Sequence, residues 1–219
     1  MDAIVHIREA AAGYPGRVVL RDLDLAIAPG ERIAILGRSG AGKSTLLNLI
    51  YERCREEAAL IPQAAALVRT LSVFHNVFMG RLDRHSAWFN LKTLAWPGRR
   101  EVDAVRGALN LVGLGDEIFR KAGALSGGQQ QRVSLARAFF AQRKVAVGDE
   151  PVSALDSAQG STILAHLGER HATTILALHD VSLALAHSTR IIGLNRGLIA
   201  LDAPASALRA ADLAPLYEA

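Results

Sequence analysis

Residues 37–44 read Gly37-Arg38-Ser39-Gly40-Ala41-Gly42-Lys43-Ser44, and Thr45 follows. A short apolar run, Arg32-Ile33-Ala34-Ile35-Leu36, leads into them, and residues 45–55 carry helical patterning. A glycine-rich loop ending in Gly-Lys-Ser, between a buried strand and a helix, fits the phosphate-loop pattern at every fixed position. The glycines allow backbone N–H groups to ring an anion. The free N–H groups that open the helix point to the same place. In such a loop Lys43 reaches the terminal phosphates and the Ser44 hydroxyl ligates Mg²⁺. This one feature commits the chain to a strand–loop–helix order at the carboxyl end of a sheet strand.

The surrounding text agrees with an α/β layout. Val18-Val19-Leu20, Leu23, Leu25 and Ile27 alternate apolar with polar positions and predict a strand, and Ala28-Pro29-Gly30-Glu31 predicts a turn. Further short strands are predicted at residues 59–61, 145–147, 174–178 and 191–194, with helices at 102–112 and 133–142. Strands alternating with helices indicate a largely parallel sheet. From about residue 64 to 124 the composition shifts. Phe74, Phe78, Trp88, Phe89 and Trp96 gather there, around a Pro97-Gly98-Arg99-Arg100 turn, and predict a helical insertion.

A chain of 219 residues, half of them apolar, suffices for one α/β domain with a sizeable core. Arginine supplies nearly all of the positive charge behind the net +4, since Lys43, Lys92, Lys121 and Lys144 are the only lysines. No basic run is interleaved with aromatics, so no nucleic-acid partner is expected. The single Cys54 excludes an internal disulfide and fits a reducing compartment. Met1-Asp2-Ala3-Ile4 lacks a signal-peptide layout, and no apolar run approaches the ~20 residues that span a bilayer. The chain is expected to be soluble by itself, with any membrane association coming through partners.

Four more constellations carry chemistry. In Leu125-Ser126-Gly127-Gly128-Gln129-Gln130-Gln131-Arg132, adjacent glycines let backbone approach a phosphate closely, and a hydroxyl and the first N–H groups of a helix face it. In Val145-Ala146-Val147-Gly148-Asp149-Glu150-Pro151, a parallel strand ends on carboxylates. Asp149 there can meet Mg²⁺, and Glu150, one residue on, can act as general base toward water. Ser153-Ala154-Leu155-Asp156 follows. Leu176-Ala177-Leu178-His179-Asp180 puts an imidazole after another apolar strand. The remaining histidines, at 6, 75, 85, 166, 171 and 187, are read as structural.

In this order the motifs resemble those of the ABC ATPases, over nearly the whole chain. The resemblance implies a P-loop NTPase fold of the α/β class: a RecA-like core of mainly parallel sheet at about 1–63 and 140–219, a reduced antiparallel β-subdomain, and a helical subdomain at about 64–139. It implies ATP and Mg²⁺ as cofactors. Ser126, Gly127, Gly128 and Gln129 would grip the γ-phosphate of ATP held by a second, identical subunit. Asp156 would lie in the loop that crosses between the two. His179 would be the switch histidine beside Glu150. Gln63 would be the glutamine that touches Mg²⁺ and links core to helical subdomain, and Tyr14 the aromatic that stacks on adenine. A finer layer, Pro62-Gln63, residues 75–82, Arg84, Ser86, Trp88, Leu91 and the closing Leu216-Tyr217, is similar to the ATPase subunits of phosphonate and phosphite importers. That implies transmembrane permease subunits, a periplasmic binding protein acting indirectly, and a place on the cytoplasmic face of the inner membrane.

The chain departs from the family in one place. Only 19 residues separate Lys43 from Gln63. Members of the family carry a β-hairpin there, and residues 51–57 bridge the gap directly. The shortened chain reads either as a working cassette or as a trimmed relative with reduced activity, and retention of Lys43, Glu150 and His179 favours the first. A non-transport ABC ATPase is the alternative of another class. The coiled-coil insertion or second cassette that such proteins carry is missing.

Overall fold

Short runs rich in Ile, Val and Leu set the sheets of the computed structural model, which describes residues 3–14 and 16–218. The strands are β1 (Val5–Tyr14), β2 (Arg17–Ile27), β3 (Arg32–Leu36), β4 (Ala58–Ile61), β5 (Val145–Asp149), β6 (Thr173–Ala177), β7 (Arg190–Asn195) and β8 (Leu198–Pro204). The helices are α1 (Lys43–Cys54), α2 (Val73–Phe78), α3 (Ala87–Ala95), α4 (Arg99–Asn110), α5 (Gly127–Ala141), α6 (Ser157–Arg170), α7 (Val181–His187) and α8 (Ala210–Leu213). The chain divides into two compact units, Met1–Leu60 with Lys144–Ala219, and Ile61–Arg143.

The first unit holds a six-stranded sheet in the order β4-β5-β6-β3-β7-β8 and a two-stranded sheet, β1-β2. β3 is central, with parallel neighbours β6 and β7, and β5 runs parallel to β6. β8 closes the edge antiparallel to β7. Strands buried on both faces read as continuous apolar runs, and Ile33, Ile35, Val145, Val147, Ile175, Ile192 and Leu194 all lie in one core. Leu46, Leu47 and Ile50 bring α1 into that core, and Val5, Ile7, Leu20, Leu23, Leu25 and Ile27 bring the inner face of the β1–β2 hairpin.

Two strands had no expectation in the sequence. β1 turns from Val5 and Ile7 into an alanine-rich stretch, and it slips register against β2 three times. β8 has no fully buried residue, so alternation gives little contrast there. The predicted direct bridge after α1 is present: Glu57 N–H donates to the Cys54 carbonyl at 2.9 Å, and β4 starts at the next residue. Cys54 is buried, its thiol donating to the Ile50 carbonyl.

In the second unit, Phe74 and Phe78 on α2 stack at 5.7 Å, and Val105 and Leu109 of α4 are fully buried. Asn76 is buried and satisfied. Its side chain accepts from the Val68 N–H and donates to the Val68 and Ser72 carbonyls. Trp88 and Trp96 are largely exposed. No helix among the described residues is long and apolar enough to cross a membrane.

Candidate active site

Gly42 caps α1 with φ 105°, in the left-handed region, and no side chain caps the helix. Its opening N–H groups are therefore open to an anion. The loop before it is constrained. A Cβ on Gly42 would meet Leu20 Cδ2 at 2.5 Å, and one on Gly37 would meet the Leu194 carbonyl oxygen at 2.4 Å. Lys43 is buried, and its ammonium donates to the carbonyls of Gly37 at 2.8 Å and Arg38 at 3.2 Å. Burial holds its pKa below the ordinary lysine value, opposed by the charges of Glu150 and then Asp149. Ser44 is exposed and Thr45 half-buried, both in the first turn of the helix.

The carboxylates arrive from β5. Asp149 ends that strand opposite Ala177 of β6, and Glu150 N–H donates to the Ala177 carbonyl at 3.1 Å. Glu150 has φ 51°, a left-handed conformation that a non-glycine residue takes at a cost. Pro151 bars it from the right-handed helical region, and the Ser153 hydroxyl donates to its carbonyl at 3.1 Å. Its Oε1 is in direct contact with His179 Nε2. Leu178 N–H donates to the Ile35 carbonyl at 3.2 Å and so ties the His179 segment to β3. A cavity of about 340 Å³ opens beside the pair, lined by Glu150, Ser153, Leu155, His179 and Asp180 among others. Thus Lys43, Asp149, Glu150 and His179 gather at the carboxyl ends of β3, β5 and β6, where α/β sheets bind ligands.

The remaining candidates stand as follows. Tyr14 is exposed at the β1–β2 turn, opposite Arg17. Asp156 caps α6, accepting from the Gln159 backbone at 2.9 Å and side chain at 2.6 Å. In the second unit, Gln63 is exposed after β4, and Ser126 caps α5 in a full capping box with Gln129. Ser126 Oγ accepts the Gln129 N–H at 3.3 Å, which leaves its own O–H free to donate. Gly127 is exposed and Gly128 half-exposed beside it. The sequence offered no sign of the caps made by Asp156 and Asp180, beyond residue types that suit them. Asp180 accepts from the Ser182 and Leu183 N–H groups.

The profile of the ABC transporter family matches residues 20–153. The chain belongs to the ABC transporter family, as an ATP-binding cassette. This cassette is 37% identical over 240 residues to a phosphonates import ATP-binding protein PhnC of Anaeromyxobacter dehalogenans, covering 97% of the chain but 48% of that relative. It therefore spans about half the length of that protein. With PhnC 1 of Pseudomonas syringae pv. syringae it shares 39% identity over 231 residues, 92% of the chain and 86% of the relative. Among solved structures, a dimeric ATP-binding cassette in a post-hydrolysis state, bound to ADP and phosphate, superposes with a TM-score of 0.79. That match has 26% identity and covers 91% of this chain and 98% of the other.

Proposed function

We propose that the cassette is the ATP-hydrolysing subunit of a bacterial importer for phosphonate-like oxyanions. Two copies would close on two ATP molecules and drive transmembrane permease subunits at the cytoplasmic face, with a periplasmic binding protein delivering the solute. The observation that carries this reading is the Glu150–His179 contact beside Lys43 at the sheet's carboxyl edge. The PhnC relatives supply the solute class.

In this reading the N–H groups of residues 38–44 cradle the phosphates. Lys43 exchanges its carbonyl partners for terminal phosphate oxygens. Tyr14 offers its exposed ring to adenine, worth roughly 0.5–1.5 kcal/mol beyond burial by analogy with aromatic pairs. The Ser44 hydroxyl and the Asp149 carboxylate are oxygen donors that suit Mg²⁺ and would hold it. When bound, it would neutralise charge on the β- and γ-phosphate oxygens. Glu150 takes the proton of the attacking water as the new P–O bond forms and the bond to the bridging oxygen of ADP breaks. His179 keeps the Glu150 carboxylate aimed. Ser126, Gly127, Gly128 and Gln129 of a second copy complete the γ-phosphate site, with Asp156 anchoring the loop between copies.

Replacing Glu150 with Gln tests this reading. ATP binding should persist and turnover should fall at least about 100-fold, the usual worth of a positioned base. ATP should then trap a dimer, seen by light scattering on a sizing column. An unchanged hydrolysis rate would remove Glu150 from the mechanism.

A further inference from the structure

The backbone of Glu150 is tied on both sides of its Cα. Its N–H donates to the Ala177 carbonyl of β6 at 3.1 Å. Its carbonyl accepts twice from one residue, from the Ser153 N–H at 3.2 Å and from the Ser153 hydroxyl at 3.1 Å. Between these ties Glu150 has φ 51°. A left-handed glutamate is unfavourable and persists only where its surroundings fix it. Pro151 closes the right-handed helical region to it, so the competing conformation is extended. Turning Glu150 to an extended backbone rotates its two peptide groups against each other, and the bonds to Ala177 and to Ser153 cannot both survive that.

The side chain leaves the same Cα. With both peptide groups fixed, the direction of its Cβ is fixed as well, and the carboxylate meets His179 Nε2. The histidine is anchored by bonds of its own. Leu178 N–H before it donates to the Ile35 carbonyl, and Asp180 after it accepts from the Ser182 and Leu183 N–H groups. The contact therefore depends on where the Glu150 backbone aims the carboxylate. Of the two donors to the Glu150 carbonyl, the N–H is one that any residue except proline would supply at 153. The hydroxyl is what serine adds. Ser153 is exposed, on the lining of the cavity beside Glu150 and His179, so packing does not call for it.

We propose that Ser153 is a positioning residue for hydrolysis: its hydroxyl, donating to the Glu150 carbonyl, keeps Glu150 in the left-handed backbone from which its carboxylate meets His179. The role rests on Glu150 being the base. Ser153 touches no substrate in it and acts through Glu150 of its own chain.

Ser153→Ala in the full chain removes the hydroxyl and leaves the N–H. Steady-state hydrolysis should show kcat down about five- to tenfold, part of the worth of a positioned base. The KM for ATP should stay within about twofold of wild type, as for a group that acts on the chemical step, and the melting temperature should stay level. Ser153→Thr, which keeps the hydroxyl, should recover most of the lost kcat. Added to Glu150→Gln, Ser153→Ala should leave the residual single-turnover rate and the ATP-trapped dimer as they were. Wild-type kcat in Ser153→Ala would overturn the proposal. A further fall in rate on the Glu150→Gln background would do the same, because Ser153 would then act apart from Glu150. Loss of the trapped dimer would also overturn it, by making Ser153 a contact between copies. Wild-type turnover in Glu150→Gln alone would sink the reading of Glu150 as base, and this role with it.

Discussion

Lys43 joins fold to chemistry through one side chain. It is buried, its ammonium rests on the carbonyls of its own loop, and the charges of Glu150 and Asp149 reach it. Its pKa is held below the usual lysine value, so the stability linked to it is present above the ordinary lysine range. That stability is lost as pH falls through the depressed folded value. At neutral pH the buried cation is thus a cost, which a bound phosphate would offset. ATP at about 100 times its Kd should stabilise the chain by about 2.7 kcal/mol. For a chain of this size that is a rise in melting temperature of roughly 5–10 °C. Lys43→Ala should abolish the rise, read by scanning fluorimetry with and without ATP. The sequence offered Lys43, Asp149, Glu150 and His179 as candidates because their motifs follow one another in that order, and the fold gathers them at one sheet edge. The left-handed backbone at Glu150 was not legible there, because it is set where β5 ends and no residue type announces it.

Helix starts carry much of the site. α1 opens with no side-chain cap, which leaves its N–H groups for an anion, whereas α5 opens on the Ser126–Gln129 capping box. Ser126→Ala should lower stability by about 1 kcal/mol, the usual worth of such a cap, measured by urea unfolding. ATP binding by the single chain should be unaltered, because the phosphate loop lies elsewhere in the chain. ATP-driven dimerisation should be lost. The sequence put the opening of α5 at Ser126-Gly127-Gly128 from its phosphate-facing pattern, whereas apolar spacing carries the helix only from residue 133, because Gly127 to Arg132 are polar and glycine-rich. β1 and β8 escaped for a related reason. Alanine contrasts little with polar neighbours, and a strand without buried positions has no face to report.

In the first unit as a whole, one arginine ties four segments. Arg190 at the start of β7 makes a two-pronged contact with Asp202 of β8, each bond 2.6 Å. It also donates to Glu31 in the turn at 3.1 Å and to the Ala26 carbonyl of β2 at 2.9 Å. Its side chain is only 22% exposed, so screening is incomplete, and those two carboxylates raise its pKa further. Arg190→Met should cost about 2 kcal/mol, less than the loss of a fully buried pair, with an unchanged denaturant slope. The topology of this unit was largely legible, because alternating strands and helices with a phosphate loop admit few sheets. The strand order was not, since register and neighbours are settled by packing across the core. Among the described residues, β1 has β2 as its one strand partner, which leaves a long outer edge without a strand on it. Three register slips in ten residues make that edge a poor template for a foreign strand. So broken an edge carries its own safeguard against fibre growth, and the two-stranded sheet can lie open without seeding an assembly.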